Sequence, residues 1–483
     1  MKRLWAPILA AGALALAALP AGAQGINLNS GGRITINSGG RIDINTGHLT
    51  LATSGYFDIA AASGELRVAS NITIGSGCTL TSVGVTGLIY CGGNFANSGT
   101  FTAGNSTVTM NGSGSQSLPL TNSTFYNLTI NNTAADDDTN PVSMDDSLTV
   151  SNLLTVTNGR LKIPPVASGL ALTLSGAVTH TVASGAALEL KPSGLNSAVI
   201  NMAHGSLITL SGTLKALQDP AAPIAYSFIR ITGGDGAGWG MTVSSTGTLN
   251  VRHFTFTDIS ATGIVLANGA TLTQLRNGTL TKEASLSGPC LDISAVTGSN
   301  RAKIPWSCSN ILFSGTSGDN VKSGLAAPIV FFLGAVAGRW GESYDNDPAE
   351  NEGGIGSLGR VRWLSAQIKN VTDNATFDTV DDCLAAAGTG ASDRVRPLTP
   401  FVLGEPIDVS KDIIMENFVM VPSTGLAVDG GASLLGSLHN CVIAKGGADY
   451  VTLRNCVVFD PVGAPATTNC VGRNTIFEEA APG

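Results

Sequence analysis

Short pairs of apolar residues, separated within each pair by one polar residue, recur along the first part of the chain at intervals of seven to nine residues. The pairs are Ile26/Leu28, Ile34/Ile36, Ile42/Ile44, Leu49/Leu51, Phe57/Ile59 and Leu66/Val68. Alternation within a pair predicts a short β-strand with one buried face, and the Gly, Ser and Asn residues between pairs predict turns. We interpret each strand and turn as one side of a coil. Three sides make a coil of roughly 24 residues, within the range of repeat architectures.

The same alternation continues less regularly through the rest of the chain. Thr248-Leu-Asn-Val251 and Thr271-Leu-Thr-Gln274 begin 23 residues apart, which is about one coil. Near the C-terminus, three segments begin with Asn440, Asn455 and Asn474, 15 and 19 residues apart. We predict equivalent strands of successive coils, with each Asn at a turn where it hydrogen-bonds the Asn of the neighbouring coil.

Two features of the chain resemble known families. The short-strand pattern and the stacked Asn positions resemble right-handed parallel β-helix proteins of the pectin-lyase-like fold over most of the chain. Separately, segments 93–104, 107–112 and 125–130 resemble a unit of large secreted bacterial surface proteins, with the pattern G-x-[WF]-x-N-x-G-T-F-x-A-G, T-V-x-x-N-G and F-Y-N-L. These resemblances imply an all-β parallel solenoid and an adhesin-like role at a bacterial cell surface, and they imply little about activity.

An antiparallel meander or sandwich is the alternative fold for the same short strands. It needs frequent hairpin turns, for which Asn-Gly is the strongest short signal. Asn-Gly occurs at positions 111–112, 158–159, 268–269 and 277–278. Segment 93–132 could therefore be a local antiparallel element inside the solenoid.

Breaks in the alternation divide the chain. Residues 1–23 form a signal peptide, 24–325 a parallel β-helix, 326–375 a junction with an acidic loop, and 376–483 a second, short β-helical domain. Phe377, Val380, Leu384 and Ala387 follow near-helical spacing. This spacing predicts a short amphipathic helix that caps the second domain.

The composition supports an all-β chain with many turns and limits its partners. Gly contributes 60 of 483 residues, while charged residues are only 12% and apolar residues 43%. Such a chain is too apolar for an extended disordered protein. The formal net charge of −8 and the lack of a Lys/Arg cluster exclude a nucleic-acid partner.

The N-terminus predicts export. Lys2 and Arg3 precede an Ala/Leu-rich stretch, and Ala21-Gly22-Ala23 offers small residues for cleavage. No later apolar stretch is long enough to span a bilayer. We therefore expect a secreted protein, extracellular or bound to a bacterial cell surface.

Eight cysteines occur, and none lies in a C-x-x-C pattern that favours zinc or thioredoxin-like redox chemistry. Cys441 and Cys456 occupy the same register of neighbouring predicted coils. Adjacent strands lie about 4.8 Å apart, a distance that a disulfide tolerates. A disulfide bridge and a ladder of buried thiols are both consistent with this register.

The acidic loop is the best candidate for a metal site. Hard oxygen ligands for Ca²⁺ are offered by Asp345, Asp347, Glu350 and Glu352. The spacing does not fit an EF-hand, and a solvated turn is the alternative. No other cofactor is expected.

No catalytic constellation emerges from the sequence. Thr, Ser and Asn on outer faces could form a glycan-binding surface together with Trp239, Trp306, Trp340 and Trp363. We favour core or end-cap positions for these Trp residues. The sequence favours a structural or adhesive role that contacts extracellular polysaccharide or other surface proteins. A polysaccharide lyase or glycoside hydrolase of the β-helix type is the alternative. An open coil end could also add another subunit, giving end-to-end self-association.

Overall fold

The computed structural model describes residues 25–479 except 30, 61–62, 83–85, 119–122, 134–139, 165–169, 193–196, 218–226, 232–236, 284–285, 306, 316–317, 334–344, 347–359, 365–367, 378–379, 387–388, 391, 399–401, 404–406, 410–411, 422–426, 430–435, 445–447, 450 and 461–469. The described residues form a parallel β-solenoid of about 13 turns, and 60% of them lie in strands and 3% in helices. The predicted fold class is confirmed. The predicted signal peptide, 1–23, lies outside the described residues.

The described residues form two compact units, a first unit within 25–189 and a second unit within 190–479. The domain bounds expected from the sequence stay a prediction. Strands β1 to β19 are Gly25–Leu28, Arg33–Ile36, Arg41–Ile44, His48–Leu51, Tyr56–Ile59, Glu65–Val68, Ile72–Ile74, Thr79–Thr81, Leu88–Cys91, Phe95–Asn97, Thr100–Thr102, Thr107–Met110, Gln116–Leu118, Thr124–Asn131, Val142–Met144, Leu148–Ile163, Leu170–Leu174, Thr179–Val182 and Ala186–Leu190.

The remaining elements follow the same order along the chain. Strands β20 to β32 are Ala198–Met202, Leu207–Leu210, Thr213–Ala216, Ser227–Ile231, Trp239–Val243, Thr248–Leu266, Thr271–Lys282, Leu291–Asp292, Ser307–Ser314, Val321–Lys322, Val330–Leu333, Asp345–Asn346 and Val361–Leu364, with a 3-10 helix at Gly298–Lys303. Strands β33 to β47 are Ile368–Asn370, Ala375–Phe377, Asp393–Pro397, Val402–Leu403, Ile407–Asp408, Ile413–Glu416, Val419–Met420, Val428–Asp429, Gly436–His439, Val442–Ile443, Ala448–Asp449, Val451–Arg454, Val457–Asp460, Val471–Arg473 and Ile476–Glu479, with helix α1 at Val380–Ala385.

The first turns have the register that the apolar pairs predict. Strand β1 pairs with β4 at an offset of 23 residues, and β3 pairs with β6 at an offset of 24, all in parallel. In each strand the apolar pair points inward; Leu49, Leu51, Phe57 and Ile59, for example, are fully buried. Because the side chains of a strand alternate between its two faces, the intervening residue of each pair faces outward. The predicted coil length is confirmed.

One corner of the first unit carries a ladder of polar side chains that cap backbone amides. The amide of Asn71 donates to His48 Nδ1 at 3.3 Å, that of Asn94 to Asn71 Oδ1 at 2.9 Å, and that of Ser117 to Asn94 Oδ1 at 2.8 Å. These four residues recur every 23 positions. Each accepting side chain satisfies an amide that the corner would otherwise leave unpaired.

Segment 93–132 is part of the solenoid and contains no antiparallel element within its described residues. Strands β10 to β14 all pair in parallel with strands of neighbouring turns. The Phe side chains of the surface-protein pattern pack together: the rings of Phe95, Phe101 and Phe125 lie 5.2–5.4 Å apart. The hairpin interpretation is wrong here because Asn-Gly occupies corners of the coil.

The second unit repeats the same architecture. Strand β25 pairs with β26 from Thr248↔Thr271 onward, which confirms the register expected from their 23-residue separation. At the corner that follows, His253, Asn277 and Asn310 all adopt positive φ of 51–52°. Asn tolerates this left-handed conformation better than most residues, so the Asn of Asn277-Gly278 marks a corner.

The C-terminal part of this unit has three sheets, of seven, five and three strands, that begin with β34, β36 and β37. Its pairs are parallel except that β33 runs antiparallel to both β34 and β35. The predicted helix is present as α1, but Phe377 lies before it in β34. Ala387 lies outside the described residues. Val380 and Leu384 are buried on the inner face of α1, as predicted.

The predicted Asn ladder is present. Asn440, Asn455 and Asn474 have φ of 52–53°, and the side-chain amides of the second and third donate to the Asn of the preceding turn, at 3.4 and 3.3 Å. The ladder combines a backbone conformation that disfavours most side chains with a chain of hydrogen bonds between turns.

Replacing Asn455 by Ala should lower the free energy of unfolding by about 1–3 kcal/mol, because Ala strains the left-handed backbone and breaks the ladder. Asn455→Gly tolerates the same φ and loses only the hydrogen bonds, so it should cost clearly less. Urea unfolding followed by circular dichroism measures both. Equal costs for Ala and Gly would show that backbone conformation plays no part at this corner.

Candidate functional site

The outer face of one sheet of the first unit carries a column of threonines. Thr109 aligns with Thr129, Thr129 with Thr155, and Thr155 with Thr181, on β12, β14, β16 and β18. Each precedes an inward residue, for example Ile130. Parallel strands lie about 4.8 Å apart, so the column presents hydroxyl and methyl groups at regular intervals.

The exposure and surroundings of the column suit contact with an uncharged ligand. Thr109 is buried, whereas the other three threonines are partly exposed. Two or three positions earlier on these strands, the side-chain amide of Asn127 donates to Thr107 Oγ1 at 3.2 Å, and that of Asn152 donates to Asn127 Oδ1 at 2.8 Å. The column is therefore flanked by more amide and hydroxyl groups.

Toward the N-terminal turns the same column becomes charged and aromatic. Tyr90 aligns with Thr109, and Arg67 aligns with Tyr90. The Arg67 guanidinium lies over the Tyr90 ring at 4.3 Å and also pairs with Glu65. The hydrogen bond to Glu65 raises the pKa of Arg67 further above its ordinary value. The charges are compensated locally, so this end of the face offers little net charge to a ligand.

The second unit has a threonine column of its own. Thr213 aligns with Thr248 and Thr248 with Thr271, and all three are partly exposed. Thr209 aligns with Thr242 on another side of the coil. Outward threonine columns therefore recur in both units.

The tryptophans that the structure describes are core residues. Trp239 is fully buried and donates to the Thr257 carbonyl at 2.6 Å. Trp363 is 9% exposed and donates to Asp345 Oδ2 at 2.7 Å. The favoured interpretation of these two side chains as core residues is confirmed, and their covered rings are not available for sugar stacking. Trp306 and Trp340 lie outside the described residues.

Of the predicted calcium ligands, Asp345 is described, and Asp347, Glu350 and Glu352 lie outside the described residues. Asp345 begins the short strand β31 and accepts the Trp363 hydrogen bond. Among the described residues, no three His, Cys, Asp or Glu side chains are grouped to hold a metal ion. The calcium site stays a prediction.

An aspartate column was missed from the sequence. Asp408 aligns with Asp429, and Asp429 with Asp449, on β37, β40 and β43. Val428 and Ala448, which precede the second and third, are fully buried, so these Asp positions belong to the outer face. The sequence signal is an apolar residue followed by Asp at intervals of 21 and 20 residues, which is weak without knowledge of the register.

The thiol of Cys91 offers little nucleophilic chemistry. Burial raises the pKa of the Cys91 thiol to about 12, and its sulfur donates to the carbonyls of Gly93 and Asn94. A buried thiol of this kind is inert because the thiolate is the nucleophile.

Comparison with protein-family models, with curated proteins and with solved structures finds no match. Within the described part of the chain, no helix is both long enough and apolar enough to cross a membrane.

Proposed function

We propose that this protein is an exported, surface-associated β-solenoid that contacts extracellular polysaccharide through its threonine columns, in a structural and adhesive role without catalysis. The observation that carries the proposal is the in-register alignment of Thr129, Thr155 and Thr181 with Thr109. The predicted signal peptide and the resemblance to secreted β-helix surface proteins support export.

The physical basis is repetition. A threonine hydroxyl both donates and accepts hydrogen bonds, and its branched side chain loses little rotamer freedom on binding. Because the groups repeat at the strand spacing, a polymer with regular hydroxyls can meet several of them at once. Many weak contacts then act together, as in other multivalent binding.

The proposal predicts that the full chain sediments with at least one insoluble polysaccharide among crystalline cellulose, chitin and peptidoglycan. Thr155→Lys introduces a long charged side chain in the middle of the column and should weaken retention about tenfold, equivalent to roughly 1.4 kcal/mol. The measurement is the bound fraction as a function of polysaccharide concentration.

Thr155→Ser is the matched control, since it keeps the hydroxyl and should retain most of the binding. Ser143→Lys places the same charge on a different side of the coil, where β15 pairs with the end of β16, and should leave binding unchanged. Equal loss from Thr155→Lys and Ser143→Lys would mean that the column is not the contact surface.

The aspartate column supports a second candidate function, a polysaccharide-degrading enzyme. Retaining glycosidases place two carboxyl groups about 5–5.5 Å apart, close to the spacing of about 4.8 Å between neighbouring turns. Asp429→Asn should then abolish the release of new reducing ends or unsaturated products from soluble polysaccharides. Activity that Asp429→Asn removes would replace the contact role with catalysis.

A further inference from the structure

Two cysteines of the C-terminal turns occupy equivalent positions on neighbouring coils. Val442 aligns with Val457, and the residues just before them are Cys441 and Cys456. The amide of Val457 donates to the Cys441 carbonyl at 3.0 Å, which fixes the two turns against each other at this position. Both side chains are 1% exposed.

The thiol of Cys456 contacts the preceding turn, the lower turn, which contains Cys441. Cys456 Sγ donates to the Leu438 carbonyl at 3.2 Å, three residues before Cys441 in the lower turn. Cys441 Sγ lies at hydrogen-bond distance from the carbonyls of His439 and Met415. The two sulfurs therefore lie in one column along the coil, between turns held by the Asn ladder.

In the turns just before and just after this pair, the equivalent position is filled by residues that cannot form a disulfide. The turn before Cys441 has Phe418 there, directly after Asn417, and the turn after Cys456 has Thr475, directly after Asn474. Thr475 Oγ1 donates a hydrogen bond to the Arg473 carbonyl, just as Cys456 Sγ donates one to the Arg454 carbonyl. The paired thiols are thus confined to two consecutive turns of the column.

We propose that Cys441 and Cys456 form a disulfide that links these two turns when the chain folds in the presence of a disulfide oxidant. A separation of about 4.8 Å between neighbouring strands lies inside the range that disulfides span. One thiolate attacks the oxidant's disulfide and releases a thiol, and the second thiolate then displaces the other thiol. Two S–H bonds are lost, one S–S bond forms, and the oxidant is reduced to two thiols.

The electrostatics of the pair favour this exchange. The hydrogen bond from Cys441 lowers the pKa of Cys456 below its ordinary value, against the opposing effect of burial. The same bond, together with burial, raises the pKa of Cys441. Once the two turns have formed, Cys456 is therefore the more acidic thiol of the pair.

The test refolds the full reduced chain with oxidised glutathione, alkylates it in denaturant and digests it with trypsin. The expected product is a linked pair of peptides, 412–445 and 455–473, that reduction separates. Because 455–473 also contains Cys470, the Cys470→Ser variant is the control and should give the same link. In Cys456→Thr, which copies Thr475, Cys441 should become fully alkylated.

Alkylation of both Cys441 and Cys456 after refolding with oxidant would overturn the proposal. A link that persists in Cys456→Thr or disappears in Cys470→Ser would also overturn it, since another cysteine would then be the partner. Where a variant fails to fold, fragment ions of the linked wild-type pair decide the question, because they show whether Cys456 or Cys470 carries the alkyl group.

Discussion

Replacing Glu189 by Leu alone should lower the free energy of unfolding by about 3–5 kcal/mol, because it removes a buried carboxylate that pairs with a buried guanidinium. Arg160 Nη1 and Glu189 Oε2 lie 3.0 Å apart, with side chains only 2% and 9% exposed. Both belong to the first unit, on β16 and β19. The desolvation of two charges is offset only while both are present.

The double variant Arg160→Met/Glu189→Leu tests whether each buried charge is needed only because the other is present. Apolar side chains of similar volume often replace a buried ion pair without loss of stability. The double variant should therefore be markedly more stable than Glu189→Leu in urea unfolding. If the double variant lost as much free energy of unfolding as the two single variants together, Arg160 and Glu189 would not depend on each other.

Acid should destabilise the first unit through His180, by about 3 kcal/mol between pH 6.5 and 4. His180 is 2% exposed, and its Nδ1 accepts from the Leu154 amide at 3.1 Å. Burial lowers its pKa from 6.5 to about 4. The unfolded chain takes up a proton at higher pH than the folded one, so this stability is complete above pH 6.5 and falls as the pH drops toward 4.

His180→Gln keeps an acceptor for the Leu154 amide but cannot take up the proton. The variant should show a smaller loss of stability than wild type between pH 6.5 and 4, measured as the urea midpoint at each pH. Identical pH dependence in the two proteins would rule out His180 as the group responsible.

The regular part of the fold is predictable because sequence and structure share one period. In the first turns the coil length is nearly constant, so pairs such as Ile34/Ile36 recur at an interval that reveals the register. The Asn ladder is predictable for a different reason. Its members differ in spacing, yet each is an Asn at positive φ followed by a strand, and few residues other than Gly adopt that conformation readily.

The outward columns are much harder to predict. Thr109, Thr129, Thr155 and Thr181 are separated by 20, 26 and 26 residues, because the turns between them differ in length. A change of one residue in a turn moves every following side chain to a new register. The same difficulty hides Asp408, Asp429 and Asp449, since a single Asp after an apolar residue has no periodic partner until the strands are aligned.

The tryptophan residues show that residue type alone does not predict whether a side chain lies in the core or on the surface. Trp239 and Trp363 lie in strands of ordinary alternating pattern, and only packing decides which face each occupies. Both are buried with their indole N–H groups bonded, as large aromatic side chains in cores usually are. A sugar-stacking role could not be separated from a core role by residue type.

The contact role is tested most directly by protection of the threonine face in the bound state. Thr155→Cys places a thiol on that face, and Ser143→Cys places one on another side of the coil. Each variant is alkylated with a maleimide while free and while bound to the polysaccharide that retains the wild type best. We predict that binding slows alkylation at position 155 several-fold and leaves position 143 unchanged. Equal rates at position 155 in the free and bound protein, or failure to bind any of the three polysaccharides, would contradict the proposed function.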